Sequence, residues 1–223
     1  MKVFSIAIDG PAGAGKSTVA QAAADQLGAV YLDTGAMYRT FGLYMARRGR
    51  MTPAAIAEAV DEPQIGIEFI DGVQHMLLDG EDVTDALRSP EASQLASTVA
   101  AVAEVRERLV RLQREFALGH SVVMDGRDIG TDVLPNATLK IFLTASSEER
   151  ARRRMKQLEE SGGNQTYEQV LAEIIERDWR DSHREVSPMR QAPDAVRVDT
   201  SDMTLEQSIQ TVVDLARQAI ARG

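Results

Sequence analysis

IDGPAGAGKST, residues 8–18, is the stretch that decides the fold. Residues 10–17 within it fit the pattern G-x-x-x-x-G-K-[ST], which forms a phosphate-binding loop. The apolar residues 2–8, KVFSIAI, predict a buried strand before the loop, and residues 17–28 predict an Ala-rich helix after it. The loop needs this order of strand, loop and helix, so the pattern favours a phosphate site over a flexible glycine turn.

The residue types of the loop fit a nucleoside triphosphate and Mg²⁺. Glycine permits positive φ, which turns backbone N–H groups toward an anion, and the following helix adds the positive end of its dipole. We expect Lys16 to reach the β- and γ-phosphates, Ser17 to give a hydroxyl oxygen to Mg²⁺, and Thr18 to contact the α-phosphate. The predicted ATP-binding residues are Gly10, Pro11, Ala12, Gly13, Ala14, Gly15, Lys16, Ser17 and Thr18.

The composition limits the remaining possibilities. With 223 residues the chain can form one domain, with room for a small insertion. Its lack of cysteine excludes a disulfide framework, a thiolate nucleophile and a Cys-built metal site. A net charge of -9 disfavours nucleic acid as a partner, because binding it requires a basic surface. The N-terminal apolar run is too short for a leader, and no run reaches about 18 apolar residues, so we expect a soluble cytoplasmic protein without a membrane partner.

Short apolar strands alternate with helical segments along most of the chain. Such alternation predicts a parallel sheet with helices on both faces. We therefore predict an α/β fold of the P-loop NTPase type, with a parallel five-stranded sheet whose carboxyl ends carry the ligands. The predicted strands are residues 2–8, 29–33, 121–126, 138–145 and 195–200.

One segment breaks this alternation. Residues 65–87 have apolar side chains at every second position around Asp71-Gly72 and Asp79-Gly80, which are hairpin signals. The segment predicts a small antiparallel β insertion at about residues 63–89. The insertion either covers a second substrate or decorates the fold without a role in binding. The predicted core is then residues 1–62 and 90–223.

Two later helices show amphipathic patterns. The helix at residues 102–117 has an apolar stripe that leaves Arg106 near its border. Its stripe residues are Val105, Leu109, Leu112 and Phe116. The last helix opens with a capping box, Thr204-x-x-Gln207, and we expect its apolar face to be buried. Its predicted inward residues are Leu205, Ile209, Val212, Val213, Ala216 and Ile220.

A phosphate-binding loop alone does not separate a kinase from a GTPase, a motor or a regulatory ATPase. The guanine-reading sequence N-K-x-D is missing, which disfavours a GTPase. The chain has more arginines near the predicted ligand edge than one triphosphate requires, so we infer that two phosphorylated ligands meet there. These arginines are Arg39, Arg106, Arg127, the group from Arg150 to Arg154, Arg177 and Arg184.

Two groups of arginines have helical spacing. Arg177, Asp181 and Arg184 lie at i, i+4 and i+7, which places them on one helix face, either as ligand contacts or as an ion-pair ladder. The basic group 150–154 follows a predicted strand and so overhangs the site, which favours a phosphate clamp over a solvated helix face. Phosphoryl transfer between two anions needs such a clamp to neutralise charge and exclude water.

The segment VVMDGRDIG adds carboxylates to the same edge. Asp125 ends a predicted buried strand beside the loop, from where it can hold Mg²⁺ directly or through water. Arg127 and Asp128 follow it on the rim. An Asp-Gly turn with a paired Arg and Asp would look the same, and the neighbouring motifs favour the functional interpretation.

Taken together, these motifs resemble bacterial cytidylate kinases, the (d)CMP kinases of the nucleoside monophosphate kinase superfamily. The resemblance covers nearly the whole chain in the family's order and includes its insertion. It implies transfer of a phosphoryl group from ATP, with Mg²⁺, to CMP or dCMP. The matching segments are IAIDGPAGAGKST, LDTGAMYR, GEDVTDALRSPEAS, ASTVAAVAEVRERL, DGRDIGTDVLPNATLKIFLTASSEERARRR and ERDWRDSHREVSPM.

The resemblance also implies roles for single residues. Ser97, Arg106 and Asp128 look like the residues that read cytosine. Arg177 and Asp181 look like the sugar contacts. The monophosphate clamp is expected to comprise Thr34, Arg39, Arg127 and Arg184, with Tyr38 also in the acceptor site. Lid arginines are expected at Arg150, Arg153 and Arg154, in a helical lid at about residues 148–166, and the groups expected to act in catalysis are these three with Lys16 and Arg127.

We expect a monomeric (d)CMP kinase, and two alternative functions stay open. The chain could phosphorylate another acceptor, such as UMP, AMP or shikimate, or it could be an ATP-binding switch without transfer activity. The Asp128 carboxylate favours cytosine, because cytosine offers an amine where uracil offers a second acceptor.

Overall fold

The computed structural model describes residues 3–160 and 162–222. Its strands are β1 Ser5–Asp9, β2 Val30–Asp33, β3 Ile65–Ile70, β4 Val73–Leu78, β5 Glu81–Asp82, β6 Val122–Gly126, β7 Leu139–Thr144 and β8 Val196–Asp199. Its α-helices are α1 Lys16–Leu27, α2 Thr34–Arg47, α3 Pro53–Glu58, α4 Pro90–Val99, α5 Ala103–Gly119, α6 Ser147–Glu160, α7 Tyr167–His183 and α8 Leu205–Arg222. A 3-10 helix spans Thr84–Arg88, and a π-helical turn spans Ile129–Val133.

The main sheet has five strands in the order β2-β6-β1-β7-β8, and β3, β4 and β5 form a separate three-stranded sheet. The predicted α/β fold is confirmed, with its five-stranded parallel sheet flanked by helices and its small antiparallel sheet. Within the described ranges, no helix combines the length and the apolar composition that a membrane span requires.

The chain forms two compact units. The first unit comprises the residues up to Ala29 and those from Ser121 onward, and the second unit comprises Val30 to His120. The predicted division into a core and an insertion at 63–89 follows other boundaries and stays a prediction. Outside the described residues lie residues 1, 2, 161 and 223. They fall in the predicted domain, in its first strand or in its lid.

In the first unit, β1 forms the centre of the apolar core. Its residues Ile6, Ala7 and Ile8 are all fully buried, as expected for a parallel strand that is covered on both faces. The β1 strand pairs in parallel with β6 on one side and with β7 on the other, in the registers Ser5↔Val122 and Ile6↔Leu139. These pairings bring the carboxyl ends of three strands to one edge of the sheet.

The last helix of the first unit follows its prediction in part, because Ile209 and Ile220 of its predicted inward face are only half-buried. Thr204 and Gln207 exchange the two hydrogen bonds of a capping box, at 2.9 and 3.2 Å. The helix buries Val212 and Val213 as expected, whereas Leu205 is 47% exposed. The buried face begins one turn later, at Ser208, whose hydroxyl donates to the Thr204 carbonyl.

Helices α6 and α7 pack against each other, and the lid predicted at about residues 148–166, which covers most of α6 and ends before α7, stays a prediction. Their shared apolar cluster consists of Ala151, Leu158, Val170 and Ile174. A capping box starts α7, because the Thr166 hydroxyl accepts from Gln169 N and the Gln169 side chain accepts from Thr166 N.

The second unit contains the antiparallel sheet, whose two turns are the Asp-Gly pairs that the sequence marks. Asp71 and Gly72 have φ of 51° and 79°, and Asp79 and Gly80 have φ of 52° and 85°. Positive φ at both central residues is the type I′ geometry that suits a two-residue hairpin.

Helix α5 of the second unit differs from its predicted stripe. Val105 and Leu109 are buried as expected, but Leu112 and Phe116 are only half-buried. Arg106 is 3% exposed, so it is a buried side chain and not a border residue.

Candidate active site

The backbone of the phosphate-binding loop has the conformation that its glycines permit. Gly10 has φ of 146°, and a Cβ atom there would lie 1.9 Å from the carbonyl oxygen of Leu143. Gly15 has φ of 86° and stands immediately before α1, whose first residue is Lys16. The unpaired N–H groups of the first turn of α1 therefore open onto the loop, as anion binding requires.

Lys16 is buried inside the loop. Its Nζ donates a 2.8 Å hydrogen bond to the carbonyl oxygen of Pro11. Burial and the positive charges of Arg127 and Arg177 together lower the pKa of Lys16 to about 7, against the opposing effect of Asp125. A phosphate anion beside this amine would restore its charge, so the amine is suited to hold one.

Ser17 and Asp125 form an oxygen pair beside the loop. The Ser17 hydroxyl donates a 2.8 Å hydrogen bond to Oδ2 of Asp125, and Asp125 is 5% exposed near the carboxyl end of β6. Mg²⁺ takes oxygen ligands and is usually bound by one or two protein groups together with substrate phosphates and water. The pair fits such an ion, and the described residues contain no larger cluster of metal-binding side chains.

Asp9, which the sequence analysis did not single out, ties the first strand to the segment that contains Asp128. Its two carboxylate oxygens accept 2.7 Å hydrogen bonds from the backbone N–H groups of Ile129 and Gly130. Burial raises the pKa of Asp9 to about 7, although the two backbone hydrogen bonds favour its ionised form. A side chain at 130 would come within 3.3 Å of the Asp9 carboxylate, so glycine makes this contact possible.

Arg127 and Arg184 each pair with an aspartate in the first unit. Arg127 Nε lies 2.8 Å from Asp181 Oδ2, and Arg184 Nη2 lies 3.3 Å from Asp128 Oδ1. Burial alone would raise the pKa of Asp181, but Arg127, and then Arg177, hold it below its usual value. The network keeps anionic and cationic groups in fixed positions close to the loop.

The geometry of α7 differs in part from the expected single helix face. The helix ends at His183, and Arg184 lies in extended backbone with φ of −65° and ψ of 145°. Arg184 nevertheless reaches Asp128, and Asp181 pairs with Arg127, so the ion-pair partners of these two residues lie outside the predicted group.

The three arginines predicted for the lid have different surroundings. Arg150 is 5% exposed, donates 3.0 Å to the carbonyl of Ala12 in the loop, and lies 2.6 Å from Asp178. Arg153 donates to the carbonyl of Thr200 at 2.6 Å. Arg154 donates to the Gln157 side chain at 3.4 Å. The structure therefore brings Arg150 directly onto the loop and leaves Arg154 on its own helix.

The second unit contains the remaining predicted acceptor residues. The guanidinium of Arg106 lies 5.5 Å from the centre of the Tyr38 ring, which brings α5 and α2 together. Thr34 is 3% exposed as the first residue of α2, and Ser97 is half-buried on α4. Arg39 Nη2 lies 2.6 Å from Oδ2 of Asp33, the residue that caps α2. The substrate roles of all these residues stay predictions.

Four residues were missed that contact predicted site residues or residues close to them in the chain. These are Asp9, Asp33, Gln74 and Asp178. Asp9 and Asp33 each end an apolar strand, which is a signal that could have found them. Gln74 and Asp178 lie in segments whose sequence has no comparable signal.

Comparison with known proteins agrees with the geometry. A family model described as "Cytidylate kinase" matches residues 6–218. A protein named "Cytidylate kinase" from Caldicellulosiruptor bescii is 50% identical over 218 residues, which cover 96% of each chain. Another of that name, from Mycobacterium avium, is 50% identical over 217 residues, which cover 96% of this chain and 95% of that one.

Among solved structures, an uncharacterised protein from Eubacterium ventriosum covers the full length of both chains, with a TM-score of 0.52 and 14% identity. At this identity the likeness concerns the fold alone.

Proposed function

Because the chain belongs to the cytidylate kinase family, we propose that it transfers the terminal phosphoryl group of ATP to CMP and dCMP, with ADP and CDP or dCDP as products. The main structural support comes from the surroundings of the loop lysine. The loop lysine, Lys16, lies in the field of Arg127 and Arg177, which belong to the arginine–aspartate network of the same unit. Two phosphate-bearing ligands can therefore meet within one unit.

The donor, ATP, would bind along the loop. The backbone N–H groups of residues 10–18 and the N-terminus of α1 offer fixed donors to the phosphate oxygens. On ATP binding, Lys16 would give up its hydrogen bond to the Pro11 carbonyl and contact the β- and γ-phosphates instead. The negative charge of the phosphates would offset the cost of burying the charge of Lys16.

Ser17 and Asp125 would hold Mg²⁺ beside these phosphates. When bound, Mg²⁺ supplies positive charge that neutralises the β- and γ-phosphate oxygens. The support is the donor set itself, a hydroxyl and a carboxylate oxygen that already lie 2.8 Å apart.

The acceptor base would be read by Asp128, Arg106 and Ser97. The Asp128 carboxylate accepts from the exocyclic amine of cytosine, and its ion pair with Arg184 keeps it oriented. Uracil would place a carbonyl oxygen against the same carboxylate, and two acceptors without a proton between them repel each other.

The sugar and the monophosphate would be held by charged side chains. Asp181 and Arg177 would contact the sugar, and the fixed Arg127–Asp181 pair supports this assignment. The monophosphate clamp would comprise Thr34, Arg39, Arg127 and Arg184, with Tyr38 beside it.

Transfer itself needs no general base, because the attacking phosphate oxygen is already anionic. The catalytic contribution of the protein is to align the two phosphates and to neutralise the charge that spreads over the migrating group. Arg150, Arg153 and Arg154 would supply positive charge from the lid and exclude water. The proposal includes a cytoplasmic location, where ATP and nucleoside monophosphates are available, and a monomeric enzyme.

The experiment that tests this function measures ADP formation from ATP and Mg²⁺ with one acceptor at a time. The acceptors are CMP, dCMP, UMP, AMP and shikimate. Rapid ADP release with CMP and dCMP alone is the expected result. Release with another acceptor would retain the kinase and refute the base assignment, whereas ATP binding without any release would indicate a nucleotide-binding switch.

A further inference from the structure

Asp33, at the carboxyl end of β2, contacts three parts of the second unit at once. Its Oδ1 accepts a 2.9 Å hydrogen bond from Ala36 N and so caps α2. Its Oδ2 lies 2.6 Å from Nη2 of Arg39, one turn further along that helix. Its backbone N–H donates to Gln74 Oε1 at 2.7 Å, and Gln74 Nε2 donates back to its carbonyl oxygen at 3.3 Å.

The guanidinium of Arg39 depends on this carboxylate for its position. Arg39 folds back toward the N-terminus of α2, where the helix dipole repels a positive charge. Its Nε is buried and has no hydrogen-bond partner among the described residues. Gly35 makes room for the side chain, because a Cβ atom there would lie 3.1 Å from both Arg39 Nη1 and Asp33 Oδ1. The ion pair with Asp33 is thus the attraction that offsets the dipole.

Gln74 fixes Asp33 in turn. It belongs to β4 of the antiparallel sheet, where it stands opposite Phe69 of β3. Its amide satisfies both the N–H and the carbonyl of Asp33, so the backbone of that residue is held by the small sheet. The antiparallel sheet therefore influences the position of Arg39 through the side chains of Gln74 and Asp33.

We propose that Asp33 is a positioning residue that holds Arg39 ready for the acceptor phosphate, and that Gln74 fixes Asp33 for this purpose. The inference rests on the proposed place of Arg39 in the monophosphate clamp. A carboxylate near an incoming phosphate also repels it, so the two effects oppose each other. The ion pair uses only Nη2, which leaves the two N–H donors of Nη1 outside the pair, and it holds the flexible side chain in one place before the ligand arrives. Positioning is therefore the larger effect.

The test substitutes Asp33→Asn, because asparagine caps helices as well as aspartate does and removes only the charge. We expect the KM for CMP to rise about tenfold, which corresponds to about 1.4 kcal/mol of binding free energy, while the KM for ATP and kcat change less than about twofold. A lower KM for CMP would overturn the inference, because it would show that the carboxylate mainly competes with phosphate. An unchanged KM for CMP, or equal changes in both KM values, would also overturn it.

Glu81→Gln is the matched control. Glu81 pairs with Arg47 at 2.7 Å, at the other end of the same helix, and is exposed. The substitution makes the same change from carboxylate to amide, and we expect both KM values to stay as they are.

A double-substitution cycle separates this inference from the proposed function. If Asp33 acts through Arg39, then Asp33→Asn adds less than about twofold to the KM of Arg39→Ala, and full additivity would overturn the inference. An Arg39→Ala protein with an unchanged KM for CMP would instead refute the clamp itself.

Gln74→Ala gives a second, independent variant that keeps the carboxylate. We expect its KM for CMP to rise about threefold, which corresponds to about 0.6 kcal/mol, and the rise to vanish in the Asp33→Asn background. A rise that persists in that background would overturn the role given to Gln74.

Discussion

The phosphate-binding loop and the proposed acceptor residues of the second unit would hold anions by different means. The loop uses backbone N–H groups whose directions follow from positive φ at Gly10 and Gly15. The second unit would use side chains, such as Arg39 and Arg106, which other side chains hold in place. A backbone site tolerates few changes of the main chain, whereas a side-chain site can be weakened one contact at a time.

The loop should fail most completely when its backbone is altered. In Gly10→Ala the new Cβ atom would meet the Leu143 carbonyl at 1.9 Å, at a φ of 146° that alanine rarely adopts. We expect the free energy of unfolding to fall by more than about 4 kcal/mol, measured by urea denaturation. Gly28→Ala is the control, because Gly28 has φ of 64° with open space around it, and it should cost only about 1–2 kcal/mol. Similar costs for the two variants would contradict the argument.

Removal of the loop amine should affect catalysis without affecting the fold. Lys16→Ala takes away the charge that would stabilise the migrating phosphoryl group, and we expect kcat to fall about 10²–10³-fold. Thermal stability should be kept or raised, because burial penalises the charged form of this amine in the wild-type protein. The control is Lys156→Ala, on an exposed part of α6, with unchanged kcat. Near-normal turnover of Lys16→Ala would refute its role.

Arg150 lies on helix α6 and donates a hydrogen bond to the backbone of the loop, so here a side chain supports a backbone anion site. Arg150→Ala removes a hydrogen bond to Ala12 and leaves Asp178 without its ion-pair partner. We expect a loss of about 3 kcal/mol in the free energy of unfolding, measured by denaturant titration. Arg152→Ala on the same helix, where the side chain is 65% exposed, should stay within about 0.5 kcal/mol. Equal effects would mean that Arg150 does not support the loop.

Asp9 gives the loop region a pH dependence. The pKa of Asp9 is about 7 in the folded protein, above its ordinary value of 3.8, so the folded state binds a proton that the unfolded state has lost. This contribution to stability is complete below pH 3.8 and disappears as the pH rises through 7. Relative to Asp9→Asn, the wild-type protein should lose about 2–3 kcal/mol between about pH 5 and pH 8. A constant difference between the two proteins across this range would contradict the assignment.

The same difference between backbone and side-chain sites explains what the sequence could predict. The strand, loop and helix around Lys16 depend on neighbours in the sequence, and their positions agree with the prediction. The Asp-Gly turns of the antiparallel sheet are likewise local, and they have the expected positive φ.

The contacts that position side chains depend on residues far apart in the chain. Asp9 bonds to a residue 120 positions away, and Gln74 to one 41 positions away. No local pattern predicts such partners. The burial of Arg106 was missed for the same reason, because periodicity describes one helix and not what packs against it.

Asp128, a carboxylate of the first unit, is the residue proposed to select cytosine, and a comparison of substrate specificity tests this role. It compares kcat/KM for CMP and for UMP in the wild-type protein and in Asp128→Asn. An amide can donate a hydrogen bond to the uracil oxygen, so we expect the preference for CMP over UMP to fall about 10–100-fold. An unchanged ratio of the two values would show that Asp128 does not read the base.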